Sequence, residues 1–148
     1  MAVDVTDVAQ AIVDALADTG NAAEFSESFS VVRVYTLGKS LIEYASNEPQ
    51  VFVIPRSEVN ETHDRLDDQF DLGVGIAIIR LVDNTSIETI DPLLDLPRSI
   101  RDFLKKDGND MAGCENERCT IEVLFGHDEL YEDSCLVSTI GLNYEILQ

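Results

Sequence analysis

The chain has 148 residues, 45% of them hydrophobic, and its 29 acidic side chains outnumber 10 basic ones for a formal net charge of −19. One domain of this length buries about two-thirds of the surface its unfolded chain exposes, so a core forms without disulfide or metal. Acids spread along the whole sequence oppose nucleic-acid binding, which needs Lys and Arg against phosphate, and no apolar run approaches the roughly 20 residues that cross a bilayer. The opening MAVDVTDVAQ carries acids where a secretory signal carries bases, so a cytosolic protein is expected.

The first predicted element is a helix from Val5 to Asp18. Val5, Val8, Ala9, Ile12 and Leu16 form one apolar stripe, Asp4 serves as N-cap with Asp7 beside the positive end of the dipole, and Gly20 and Asn21 supply the stop. From Phe29 to Thr36 the residues alternate with the period of a strand. Val51 to Ile54 is a short second strand bounded by Pro49 and Pro55. The two read as a hairpin whose long connection, LGKSLIEYASNE, holds one helical turn at Leu41 to Tyr44. Pro55 ends the second strand and Arg56 opens a polar loop running to Gln69. Neighbouring His63 and Asp64 in that loop have no Ser or Cys nucleophile to serve, and Asp67, Asp68 and Asp71 lack the glycine and terminal glutamate of a calcium loop.

Phe70 to Val82 is the clearest long strand. Phe70, Leu72, Val74, Ile76 and Ile78 make one bulky face, and the opposite face carries Gly73, Gly75 and Ala77, small enough for a helix or neighbouring subunit to approach closely. Asp91 and Pro92 read as N-cap and first residue of a helix reaching Lys106, and Pro97 predicts a kink or two abutting helical pieces. Arg98, Arg101, Lys105 and Lys106 are the only dense basic cluster and suit the helix C-terminus. Asp107 to Glu117 reads as a polar loop, followed by strands near Cys119 to Phe125 and Ser134 to Leu147 joined by the acidic GHDELYED. In the last strand Leu136, Ile140, Leu142, Tyr144 and Ile146 share a face that only Ser138 interrupts. The odd set Cys114, Cys119 and Cys135 lacks a tight ligand pair even with His127 nearby, so reduced thiols are expected and no metal, cofactor or catalytic residue is assigned.

No helix follows each strand in turn, so the expected class is α+β: a single domain over residues 1–148 with a mainly antiparallel or mixed sheet of about five strands. The N-terminal helix and the second helix near 92–106 pack on one face. The amphipathic N-terminal helix, SFSVVRVYT, PQVFVIPRS, LLDLPRSIRDFLKK and the closing LVSTIGLNYEIL together resemble the small tail-terminator or tail-completion (neck) proteins of long-tailed bacteriophages. The resemblance spans nearly the whole chain and rests mostly on VFVIPRS and VSTIGLNYEIL.

It implies a non-enzymatic virion protein, assembled in the host cytoplasm as a commonly hexameric ring. Such a ring caps the tail tube, meets the tail tube protein on one side and joins the head-connector or head-closure protein on the other. The loops Leu37 to Glu48 and Arg56 to Gln69 are then the expected assembly contacts, with Arg33, Lys39, Arg56, His63 and Arg65 as candidate residues, and acids lining the bore would repel passing DNA. The rival expectation is a monomeric acidic adaptor or inhibitor that engages a basic partner.

Overall fold

A computed structural model describes the backbone of residues 3–38, 40–62, 68–106 and 109–147, with side chains for the same residues except 60–62, 68–70, 146 and 147. Helix α1 spans Val5–Ala17 and starts as its sequence dictates. The Asp4 side chain accepts from the Asp7 amide at 2.9 Å, the Asp7 side chain accepts from the Asp4 amide at 3.1 Å, and Glu58 reaches across to accept from the Val5 amide at 2.9 Å. Three carboxylates thus satisfy donors at the positive end of one helix. Val8, Ala9, Ile12 and Leu16 are buried, and each of the three larger side chains contributes about 1.5–3 kcal/mol by leaving water. Asn21 donates from its side chain to the Ala15 carbonyl at 2.9 Å, and the chain tightens into a 3₁₀ turn over Thr19–Glu24.

The sheet contains β1 (Ser30–Arg33), β2 (Gln50–Thr62), β3 (Asp68–Leu81), β4 (Glu115–Val123) and β5 (Cys135–Leu147) in the order β1-β2-β3-β5-β4. It is mixed, since β1 pairs parallel with β2 and every other neighbour is antiparallel. The expected hairpin between the first two strands is therefore corrected. Parallel strands need a crossover, and the segment from Val34 to Pro49 supplies it. Its 3₁₀ turn, Leu41–Tyr44, falls where the sequence places a helical turn, and Val34, Leu37, Leu41, Tyr44 and Ala45 pack on Phe52, Ala77, Ile79, Cys135 and Val137. The connection is a cover over the upper part of one sheet face, anchored by the edge-to-face contact of Tyr44 with Phe52 at 5.4 Å.

Pro55 does not end β2 either. β1 stops opposite Val53, whose carbonyl accepts from the Val34 amide, so two residues on, the missing N–H of Pro55 faces a side where no strand remains to be bonded. A bulge between Pro55 and Ser57 follows, and the strand continues to Thr62.

The other face carries the main core. α1 and α3 (Asp95–Lys105) both pack on this face, α1 against β1, β2 and β3 and α3 against β4 and β5, over a core that includes Val51, Val53, Leu72, Val74, Ile76, Ile78, Ile140, Leu142 and Tyr144. The alternation read in β3 and β5 is the observed one from Leu72 to Ile78 and from Leu136 to Tyr144, and the Phe70 and Ile146 side chains lie outside the described residues. Ser138, the polar interruption, is buried and donates to the Leu124 carbonyl at 2.5 Å. The helical region is divided as Pro97 predicts, into α2 (Ile87–Leu93) and α3 abutting at Leu94. The N-cap is Ser86 rather than Asp91, which places Pro92 inside α2, whereas Pro97 sits in the first turn of α3 where no intrahelical bond is lost.

Two further expectations on the second half are corrected. The polar loop is cut short: Met111 and Cys114 bridge across a two-residue turn in which Ala112 and Gly113 are both left-handed (φ 53° and 81°), and β4 begins at Glu115. The acidic linker forms a helix, α4 (His127–Asp133), whose Leu130 packs with Leu136 and Ile90.

Candidate functional site

Among the described residues, no helix lies on the half of this sheet face that the crossover leaves uncovered. Along β3 the open face carries Asp71, Gly73 and Gly75, and along β5 Gly141, Asn143 and Glu145, with Gly75 directly opposite Gly141. The flanking strands contribute Arg56 and Ser57 from β2 and Arg118, Thr120 and Glu122 from β4. The β2 bulge explains how adjacent Arg56 and Ser57 both reach this face, because a bulge re-aims a side chain that strict alternation would send to the core.

Arg56 lies over Gly75 and donates to Glu122 Oε1 at 2.9 Å, spanning β3 and β5. A Cβ on Gly75 would strike the Arg56 guanidinium, one on Gly73 would strike the Ser57 hydroxyl, and one on Gly141 would come within 2.7 Å of the Glu122 carboxylate. The small face anticipated in the sequence is thus real, and side chains of the same sheet occupy it. The groove above this floor measures about 150 Å³, room for about five waters at ~30 Å³ each and well below the roughly 300–1,000 Å³ of small-molecule sites. It suits one inserted side chain.

Beside the groove, oxygens of Asp71, Glu117 and Glu145 lie within 4.8 Å of one another. A second bulge, between Asn116 and Arg118, brings Glu117 to this group, and Asp71 faces Glu145 across the β3–β5 pairing. Desolvation, then the charges of Asp71 and Glu145, hold the Glu117 carboxyl above the usual glutamate range. A folded-state pKa above the unfolded value means that ionised Glu117 opposes folding at neutral pH, and that the penalty fades as pH falls through the folded pKa and is gone below the unfolded one. Glu117→Gln is expected to stabilise the protein at pH 7 by about 0.2–1 kcal/mol, the range for exposed charges, and to confer almost no advantage at a pH about one unit below the ordinary glutamate pKa of about 4.3. Thermal midpoints of both proteins at the two pH values measure this, and an advantage that persists in acid would contradict it.

Of the sequence-derived contact residues, Arg56 belongs to this face and already has an intrachain acid partner. Arg33, on edge strand β1, donates to the Thr6 carbonyl at 3.3 Å and lies 5.7 Å from the centre of the Tyr35 ring, so it ties β1 to the start of α1. Lys39, His63 and Arg65 lie outside the described residues, as does Asp67. The cysteines are free and buried on two sides of the sheet, Cys114 and Cys119 in the main core and Cys135 beneath the crossover. Among the described residues, the one convergent group of possible metal ligands is the three carboxylates. Two of them were half legible: the alternation puts Asp71 in phase with Gly73 and Glu145 in phase with Gly141, but only the register and the second bulge bring Glu117 to them.

What the described residues of this surface offer chemically is a polar, largely acidic plane with a side-chain-sized groove. The sequence was compared with protein-family models and with curated proteins, and it matches none of them.

Proposed function

We propose that this protein is a structural subunit of a phage tail, of the tail-terminator or tail-completion kind, which assembles as a ring between the tail tube and the head connector. The observation that carries the reading is the sheet itself, helix-covered on one face and left polar and half open on the other. A subunit that is to be stacked between neighbours needs a flat surface of that kind. The segments behind the sequence resemblance also form one continuous scaffold: VFVIPRS lies in β2 and VSTIGLNYEIL in β5, on either side of β3, and LLDLPRSIRDFLKK crosses the α2–α3 junction on the same sheet. In this reading the excess of acids keeps a ring's bore from holding packaged DNA.

Particles assembled with and without the protein test it. Overlong or headless tails in its absence are the expected result, DNA-leaking heads would move the protein to head closure, and normal particles would refute the reading. The net charge of −19 supports a second reading, an acidic adaptor for a basic partner. Such an adaptor stays monomeric at high concentration and leaves tails unchanged.

A further inference from the structure

We propose that the free edge of β1 is a contact through which two copies of this chain pair antiparallel about a two-fold axis, with Val32 at the axis. The proposal goes beyond the ring reading and does not rest on it: it concerns the free chain, and a two-fold contact closes at two copies. The edge and the open face are different surfaces, so a neighbour stacking on that face would add to this pair without disturbing it.

The backbone sets the register. Ser30 and Val34 donate their amides to the Pro49 and Val53 carbonyls at 3.1 and 3.0 Å, so in this parallel ladder the even-numbered residues of β1 bond β2. Val31 and Arg33 therefore turn N–H and C=O to the outer edge, where no described residue bonds them. With two copies antiparallel about Val32, Val31 of each exchanges both bonds with the partner's Arg33, and every one of these groups is satisfied. The same register sets Phe29 opposite the partner's Tyr35 and brings the two Val32 side chains together in the closer, non-hydrogen-bonded position.

The two edges of the sheet differ. β4 is guarded by bulges at Asn116/Arg118 and Ile121/Val123 and by the charged side chains of Glu115, Arg118 and Glu122. β1 pairs without a bulge, and its one charge, Arg33, is turned back to the Thr6 carbonyl of its own chain. Beside it Val32 and Tyr35 are 48% and 66% exposed.

Charge selects a second copy as the occupant. At a net charge of −19, two copies repel over most of their surfaces. Between Glu27 and Glu43 the sequence carries no acid, the longest such gap in the chain, and β1 lies within it. The adjoining strip of α1 is uncharged too. Thr6 meets β1 at Arg33, Ala17 lines one cleft with Ser28 and Phe29, and the stripe they define at helical spacing contains only Gln10 and Val13 between them. Here the chain meets its own copy without setting acid against acid. A basic partner finds no acid at this edge, and an acidic one is repelled by the rest of the molecule.

The test uses the full chain. Val32→Cys places a thiol from each copy at the axis with Cα atoms about 4.5 Å apart, inside the roughly 4.4–6.8 Å that a disulfide spans, and the native thiols are buried. With copper–phenanthroline it is expected to cross-link at least about tenfold faster than Ser30→Cys, which faces the partner's Val34. Arg33→Pro removes an outward N–H that the subunit itself does not use, and is expected to weaken dimers in sedimentation velocity at least about tenfold with its fold intact by circular dichroism. Arg33→Ala keeps that N–H and is expected to dimerise at least as well as wild type. Because the contact is uncharged and its surroundings repel, wild-type dimers are expected to tighten between about 0.05 and about 0.5 M salt. A folded Arg33→Pro that pairs like wild type, equal cross-linking at the two cysteine positions, dimers that loosen in salt, or a wild-type chain monomeric to about 1 mM overturns the edge contact. Should Arg33→Pro not fold, the cross-linking comparison decides alone. Each of these results leaves the ring reading to the tail particles that test it.

Discussion

Tyr144→Ala is expected to remove about 3–5 kcal/mol of stability, whereas Tyr144→Phe leaves stability unchanged or raises it slightly. Tyr144 is fully buried in the main core, on the helix-bearing face of β5. Its ring fills space between the sheet and the helices, so truncation leaves a cavity that rigid neighbours cannot close. Its hydroxyl behaves differently, having no hydrogen-bond partner among the described residues. The Asn116 side-chain amide lies close enough to work against the rise of the phenol pKa, but it gives its hydrogens to the Arg118 and Asn143 carbonyls at 3.2 and 3.4 Å and leaves the hydroxyl without a bond of its own. Desolvation, and then the neighbouring Cys119, push the phenol pKa far upward. A buried hydroxyl without a partner retains its desolvation penalty, and Phe removes both the penalty and the group that incurs it. Urea unfolding of the three proteins measures the difference. A Phe variant more than about 1 kcal/mol less stable would mean that the hydroxyl bonds within the fold.

Set against a total stability of about 5–15 kcal/mol for a domain of ordinary size, the Ala variant would be close to unfolding. That sensitivity follows from features the sequence displays openly. The alternation of β3 and β5 and the stripe of α1 are dictated by burial on one face, and burial leaves a period that needs no partner to be read. The pairing of β1 with β2 is of another kind. Parallel and antiparallel arrangements bury the same residues, and only the path of the crossover between them decides. α4 was hidden for a related reason: HDELYED places Leu130 as its one packed apolar residue, too few for a helical period to show.

The open face was the least legible part of the molecule, because two bulges bring residues to it out of phase. At Pro55/Ser57 a bulge brings Ser57 to the face that Arg56, in phase with Phe52 and Ile54, already reaches, and at Asn116/Arg118 another turns Glu117 toward Asp71 and Glu145. A bulge shifts the phase of alternation by one residue, and little in composition announces where that happens. Arg56 was singled out in the sequence as the opening of a loop. It stands instead within a strand, with its charge laid across two neighbouring strands to Glu122 on a fourth.

Gly75→Ala with Gly141→Ala is expected to reduce self-association at least tenfold, about 1.4 kcal/mol, while changing the stability of the subunit by less than about 1 kcal/mol. Alanine is favoured over glycine inside a strand by roughly 0.5–1 kcal/mol, so the backbone gains. Against this, the new methyl groups displace Arg56 and Glu122, which are 43% and 44% exposed, and an exposed pair is worth only about 0.2–1 kcal/mol. The two effects nearly cancel within the subunit. They would not cancel if a neighbour in the proposed ring stacked on this face, because raising the floor at two directly paired residues fills the groove beneath it. Unfolding curves and sedimentation of the same preparations separate the outcomes. Loss of stability without loss of association would make the glycines a seat for the Arg56–Glu122 bridge alone. Loss of association at unchanged stability means that the fold itself does not require two facing glycines in its central strands, and that the requirement comes from the neighbour.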